Sequence, residues 1–207
     1  MDSFTKSFLL IFVLLNPFIL SIYLIDLVKA LGFRLFSRQL IRAGIISLII
    51  FLIFAFAGDK IFTDVFQIRF LSFLIFGGIT FLIVGTRLLL SMGSPIEPLQ
   101  PNSENVSAAI AMPFMVGPGT ISASVLAGTR LDFPMAALSI CLAMVVSVGA
   151  ILLFKWLHDL VRERNEKWVE RYTIIAGRAT ALFIGSFAIE MILKGIEMWI
   201  KQLSGSG

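Results

Sequence analysis

Ala111–Ala123, AMPFMVGPGTISA, lies inside an apolar segment running from about Val106 to Leu126. A segment of that length can cross a bilayer, which takes roughly 20 residues. It nevertheless carries Pro113, Gly117, Pro118 and Gly119, residues that interrupt a continuous helix. At membrane depth such a break leaves backbone amides and carbonyls without helical partners. Hydrocarbon tolerates that only where those groups are satisfied by protein or line a polar cavity. The stretch is therefore expected to be a binding element made of two half-helices. For a single proline, a kink packed on neighbouring helices is an equal alternative. The G-P-G-T cluster weighs against it, as does a second break, Asn16-Pro17, in the matching place of the first apolar segment.

Composition sets the class. The chain has 207 residues, 58% of them hydrophobic, with mean hydropathy +0.96, whereas soluble domains are about half apolar. Its charges cluster between apolar blocks, the mark of a polytopic membrane protein. Cys141, the one cysteine, lies in an apolar run, so neither a disulfide framework nor a metal set is expected. No cofactor motif is present. The pI near 9.5 does not point to nucleic acid, because the basic residues fall in inter-helix stretches where topology accounts for them. No cleavable signal peptide is expected after MDSFTKS. Ser204 to Gly207 has the composition of a flexible tail or an engineering scar.

Six apolar segments are expected: about Ser7 to Val28, Ala43 to Ala57, Phe70 to Met92, Val106 to Leu126, Pro134 to Phe154 and Tyr172 to Ile200. The stretches Lys29 to Arg42 and Lys155 to Arg171 are taken as charged loops. The proline-bearing polar linker 93–105 is the seam. It separates a first three-helix repeat, 1–92, from a second, 106–203. Helices one and four are both broken, and segments three and six each carry a small-residue pair, Gly77-Gly78 and Gly185-Ser186. With three crossings per half, the second half enters from the opposite side. The expected fold is an all-α membrane protein with six transmembrane helices in a 3+3 inverted-topology repeat.

Orientation follows from the basic residues. Lys29, Arg34, Arg38, Arg42, Arg87, Lys155, Arg162, Arg164, Lys167 and Arg171 fall on one side. The other has Lys6, Lys60, Arg69, Arg130 and Lys201, with Arg178 and Lys194 near segment six. The first side is expected to be cytoplasmic in a multi-pass protein of the cell (inner) membrane, with both termini on the outer face.

Two breaks at the midplane make a site. Half-helix N-termini present free N–H groups and a positive dipole end, and half-helix C-termini present free carbonyls. That arrangement suits a small zwitterion, with a carboxylate on the amides and an ammonium on the carbonyls. The expected substrate-binding residues are Asn16, Pro17, Pro113, Gly117, Pro118, Gly119, Thr120 and Ser122. Asn16 and Thr120 could equally serve as helix caps.

These residues carry a resemblance. MPFMVGPGTIS resembles the P-x-x-x-G-P-G-x-I signature of the MarC-related family, also called the neutral amino acid transporter family, and LLNPF is similar to its N-P-x-G-x-x-P motif. FGGITFLIVGTRLLL and ALFIGSFAIEMILKGI look like its third and sixth segments, so the likeness covers nearly the whole chain. The resemblance implies six crossings, an inverted repeat and transport of small neutral amino acids such as glycine and alanine. This chain departs from the first motif, with Ile19 in place of Gly and Ile22 in place of the second Pro.

Ionisable residues inside a membrane need a reason. Glu190, well inside segment six, is a proton-coupling candidate; the alternative is a structural carboxylate paired with Lys194 one turn on. Asp26 and Arg87 lie near segment ends, Glu197 and Lys201 read as an interfacial pair, and His158 as a loop residue beside Asp159. An intramembrane protease would need Ser with His, paired Asp, or H-E-x-x-H within the membrane, and none occurs, so no enzyme is expected. Export of other small solutes or drugs, a channel, and a non-transporting scaffold are the alternatives. Expected partners are a neutral amino acid and the lipid bilayer, with a homo-oligomer left open beside a monomer.

Overall fold

The computed structural model of the chain describes residues 2–58, 60–65, 67–90, 106–162 and 166–204. The expected linker 93–105 and residues 205–207 of the tail fall outside them. All regular structure among the described residues is helical. Among the described residues three helices are long and apolar enough to cross a membrane, over Phe33–Ala57, Phe70–Arg87 and Phe133–Leu160.

The first apolar segment is broken where expected. α1 (Ser3–Leu15) ends at Asn16, whose φ of 36° and ψ of 79° are left-handed. Asparagine is among the few residues that enter this region at modest cost. Its N–H still reaches Phe12 O at 3.0 Å. α2 (Pro17–Tyr23) starts afresh on Pro17, whose fixed φ suits a first helical position and whose missing N–H costs nothing there. A further interruption at Leu24 sets off α3 (Ile25–Ala30).

α4 (Phe33–Ala57) begins ten residues earlier than the apolar run, so Arg34, Arg38 and Arg42 are helical and not in a loop. Their spacing of four puts them on one exposed face. A π-turn at Ile61–Val65 leads to α5 (Phe70–Leu90). The second break comprises α6 (Val106–Ile110), a π-turn over Ala111–Met115, and α7 (Pro118–Arg130). Met112, just before Pro113, has extended φ and ψ of −117° and 130°, the conformation a following proline imposes. α8 (Phe133–Arg162) runs two turns past Phe154, and α9 (Glu166–Ser204) begins before Tyr172. Most of the expected Lys155–Arg171 loop is thus helix. Charges on an interfacial helical turn look like a loop when only hydropathy is followed.

α4 and α8 form the centre and run antiparallel. Gly44 approaches Met144 and Val148, Phe56 near the end of α4 meets Phe133 at the start of α8, and the end of α8 meets the entrance to α4 through Lys155 and Val28. The buried face of α4 is Phe36, Leu40, Ala43, Gly44, Ser47, Phe51 and Ala55. Each has a buried counterpart on α8 100 positions later: Ala136, Ile140, Ala143, Met144, Ser147, Ile151 and Lys155. The contacts exchange in the same register. A Cβ on Gly128 would sit 1.9 Å from the Ala55 carbonyl oxygen, and position 28 likewise meets position 155.

That last contact is polar. Lys155, buried in the core, donates from Nζ to the Val28 carbonyl oxygen and to Asp159 Oδ1 at 2.7 Å, with the Phe36 ring 5.9 Å away. The cation sits at the carbonyl end of α3, where helix polarity favours it. Lys155→Met should keep the stem's packing yet leave a buried carbonyl unmet, at a cost of about 1–3 kcal/mol. A fall of several degrees in the thermal midpoint in detergent is the expected result; an unchanged midpoint would mean the contact contributes nothing.

α5 and α9 form a second, closely packed antiparallel pair. Small residues set their approach. A Cβ on Gly78 would lie 2.7 Å from Ala188 O, one on Gly85 3.1 Å from Gly185 N, and one on Gly195 3.1 Å from Leu71 O. This is the small-residue packing that lets helices associate in lipid. Gly77 faces a different neighbour, since its Cβ would fall 1.9 Å from Pro118 Cγ. The Gly77-Gly78 pair therefore accommodates α9 on one side and the second break on the other.

Candidate functional site

The two breaks meet. Between them and the α5–α9 pair lies a cavity of about 90 Å³. From the first break Val13, Leu14, Leu15, Asn16 and Leu20 line it; from the second, Gly117, Gly119 and Thr120. α5 contributes Phe81 and Val84, and α9 contributes Ile184, Phe187 and Met191.

Thr120 builds the second break. Its Oγ1 accepts the Gly117 N–H at 2.9 Å and lies 2.9 Å from the carbonyl oxygens of both Met115 and Gly117, toward which the hydroxyl can donate. The hydroxyl is therefore a buried cap that fixes how the chain enters α7. Ser124 continues the pattern by donating to Thr120 O at 2.8 Å. With Gly117 extended and Pro118 in the first helical position, the N–H groups of Gly119 and Thr120 have no acceptor within the helix. They form the positive end of α7, at the cavity wall. Gly119 puts bare backbone there, since a Cβ would meet only Leu14 Cδ2, at 3.5 Å. On the opposite side α1 ends, and Pro17 has no N–H to offer the Val13 carbonyl. The ends of two half-helices thus border one small space. None of the described residues lining it is ionisable.

Of the residues expected from sequence, Asn16, Gly117, Gly119 and Thr120 come together on this cavity. Pro17 and Pro118 shape its edges without lining it, the ring of Pro118 resting against Gly77. Ser122 is half-buried on α7 and lies off the lining. The side chains of Pro113, Ile19 and Ile22 are outside the described residues. Glu190 is exposed on α9, 3.7 Å from Lys194, and does not line the cavity.

Most of the wall was not anticipated, neither Val13, Leu14, Leu15 and Leu20 beside the first break nor the five residues on α5 and α9. Phe81, Val84, Ile184, Phe187 and Met191 are apolar residues in apolar helices and carry no individual signal. One clue was available: Val84 and Ile184 are 100 positions apart, the offset that also relates Leu31-x-Phe33 to Leu131-x-Phe133 and Ser47 to Ser147.

A family model described as MarC family integral membrane protein matches residues 1–200. The chain belongs to the MarC family. Among curated proteins it is similar to the UPF0056 inner membrane protein YhgN of Escherichia coli K12, at 26% identity over 163 residues, 78% of this chain and 80% of that protein. The YhgN proteins of Escherichia coli O157:H7 and Shigella flexneri match to the same extent. No solved structure matches. MarC membership and the apolar helices make this an integral membrane protein of an inner-membrane family. The expected resemblance is thereby confirmed over nearly the full length.

Proposed function

We propose that this MarC-family chain is a secondary transporter of small neutral amino acids of the glycine/alanine class, and not an enzyme. The observation that carries the proposal is the small uncharged cavity into which both broken helices end. A carboxylate would sit on the first-turn amides of α7, and an ammonium on the carbonyl end of α1. Val84, Ile184 and Phe187 would leave room for a short side chain only. With no ionisable group among the described lining residues, a ligand with net charge would be uncompensated. A zwitterion supplies its own neutrality.

The reading includes a 3+3 inverted repeat, 1–92 and 106–203. Its support is the antiparallel course of α4 against α8 and α5 against α9, the 100-residue register of buried faces, and the exchanged contacts at positions 28/155 and 128/55. Alternating access would then rock the α5–α9 pair against the remaining helices around the fixed cavity. Both termini are placed outside and the Arg34–Arg42 stripe in the cytoplasm. In a Cys141→Ser background, Arg34→Cys should resist an impermeant thiol reagent in intact cells and react after permeabilisation. Reaction in intact cells would reverse the orientation.

The functional test is uptake by proteoliposomes. Glycine or alanine should accumulate or exchange, with saturation, while lysine, glutamate and hydrophobic cationic drugs should not compete. An imposed pH gradient reveals whether protons drive the flux. Absence of both uptake and binding across the panel would leave a scaffold; drug flux without amino acid flux would leave an exporter.

A further inference from the structure

We infer that the exposed face of α4 carrying Arg34, Arg38 and Arg42 holds an anionic phospholipid, its headgroup phosphate on the arginines and an acyl chain along Ile45 and Ile49. This inference is independent of what the cavity carries.

Spacing and depth are the first premise. The arginines recur every four residues and all three are exposed, so they form one row with about 6 Å of rise between neighbours. α4 has 25 residues and ends at Gly58, before Asp59 and Lys60. Its length of about 37 Å exceeds the roughly 30 Å of hydrocarbon. Measured back from Ala57, Arg38 falls at the edge of the hydrocarbon and Arg42 about 7 Å inside it. Arginines that only mark the cytoplasmic side belong in water-facing stretches and need no register. Arg42 meets headgroups only by running its side chain back toward Arg38, the way a helical side chain leans.

Charge is the second. Among the described residues none of the three arginines is in an ion pair. Lys155, Lys194 and Lys201, by contrast, each have a carboxylate within the chain. Three guanidinium groups in a row, one of them at hydrocarbon depth, thus take no counter-ion from the described residues. A phosphate supplies one, since the planar fork of arginine binds two phosphate oxygens at once.

The apolar continuation of the row selects a lipid over a free anion or an acidic protein segment. Ile45 and Ile49 extend the same face toward the membrane centre, and both are 53% exposed. A ligand that touches both parts needs an anion at the depth of Arg38 and Arg42 and hydrocarbon beyond it. That is the build of a phospholipid, and basic residues at the edge of a leaflet attract its anionic members.

The test uses the full purified chain in detergent, freed of native lipid, with bound ligand read by native mass spectrometry. The probes are phosphatidylglycerol, the zwitterionic phosphatidylcholine, and glycerol phosphate, which has the anion without the chains. Phosphatidylglycerol should bind about tenfold or more tightly than either of the others. Arg38→Gln with Arg42→Gln should weaken it roughly 25-fold, at about fivefold per basic residue. Lys60→Gln with Arg130→Gln removes the same charge from exposed positions elsewhere and should leave the affinity within about twofold. If the Gln pair on α4 does not fold, Arg42→Gln alone should weaken binding about fivefold. Equal affinities of the two paired variants would overturn the inference. So would equal binding of phosphatidylglycerol and phosphatidylcholine, which would leave the row to an acidic protein segment. Glycerol phosphate binding as tightly as phosphatidylglycerol would also overturn it, because the arginines would then hold a free anion.

Discussion

Gly119→Leu should leave the protein folded and inserted and should abolish transport. Gly119 is where backbone of α7 meets the cavity, and its Cβ position has only Leu14 Cδ2 nearby, at 3.5 Å. A methyl fits that gap. Three further carbons must project into the cavity that Gly119 lines, so the ligand is displaced. Gly119→Ala is therefore expected to retain folding and to lose affinity only in part, while Gly119→Leu falls to background flux. Size-exclusion profile and membrane yield check the fold; uptake in proteoliposomes checks the loss. Parental rates from correctly inserted Gly119→Leu would make the break a structural kink.

Gly128→Ala should have the opposite signature, a chain that fails to assemble. In an exposed helix interior, replacing glycine with alanine gains about 1 kcal/mol. Here the new Cβ would lie 1.9 Å from the carbonyl oxygen and 2.7 Å from the carbonyl carbon of Ala55. Backbone cannot rotate aside as a side chain can, so α7 and α4 must separate. Overpacking of this kind costs typically about 1–3 kcal/mol and occasionally more, which exceeds the propensity gain. Gly149→Ala is the control, since a Cβ there meets nothing within 4 Å; its melting temperature should hold or rise slightly. Equal stability for the two variants would show that the α4–α7 contact is looser than described.

The reach of the sequence followed the physics of each signal. Both breaks were legible because proline and glycine act locally: Asn16-Pro17 and Gly117-Pro118-Gly119 interrupt helices whatever surrounds them. Four of the residues they bring to the cavity, Asn16, Gly117, Gly119 and Thr120, were legible for the same reason. The Gly77-Gly78 pair could be read as a close approach, but not that its two members serve different neighbours, because that depends on where Pro118 arrives. Helix ends were misjudged at Arg34–Arg42 and after Phe154. Hydropathy averages over all faces of a helix, whereas Arg34, Arg38 and Arg42 lie on one exposed face and Lys155 turns inward, on helices that continue. The apolar wall was illegible because a phenylalanine toward a cavity and one toward lipid are the same letter. Lys155 was read as a loop residue for want of its partner, a carbonyl 127 positions away.

The central claim is that substrate occupies the cavity between the two breaks, and site-directed protection tests it most directly. Val84→Cys in a Cys141→Ser background places one thiol on the cavity wall, opposite the helix ends that would hold the ligand. In reconstituted protein, glycine or alanine should slow alkylation of that thiol in a saturable way, with half-protection at the concentration that half-saturates uptake. Lysine and glutamate should not protect. Undiminished alkylation at saturating substrate, in protein that still transports it, would place the substrate elsewhere and contradict the account.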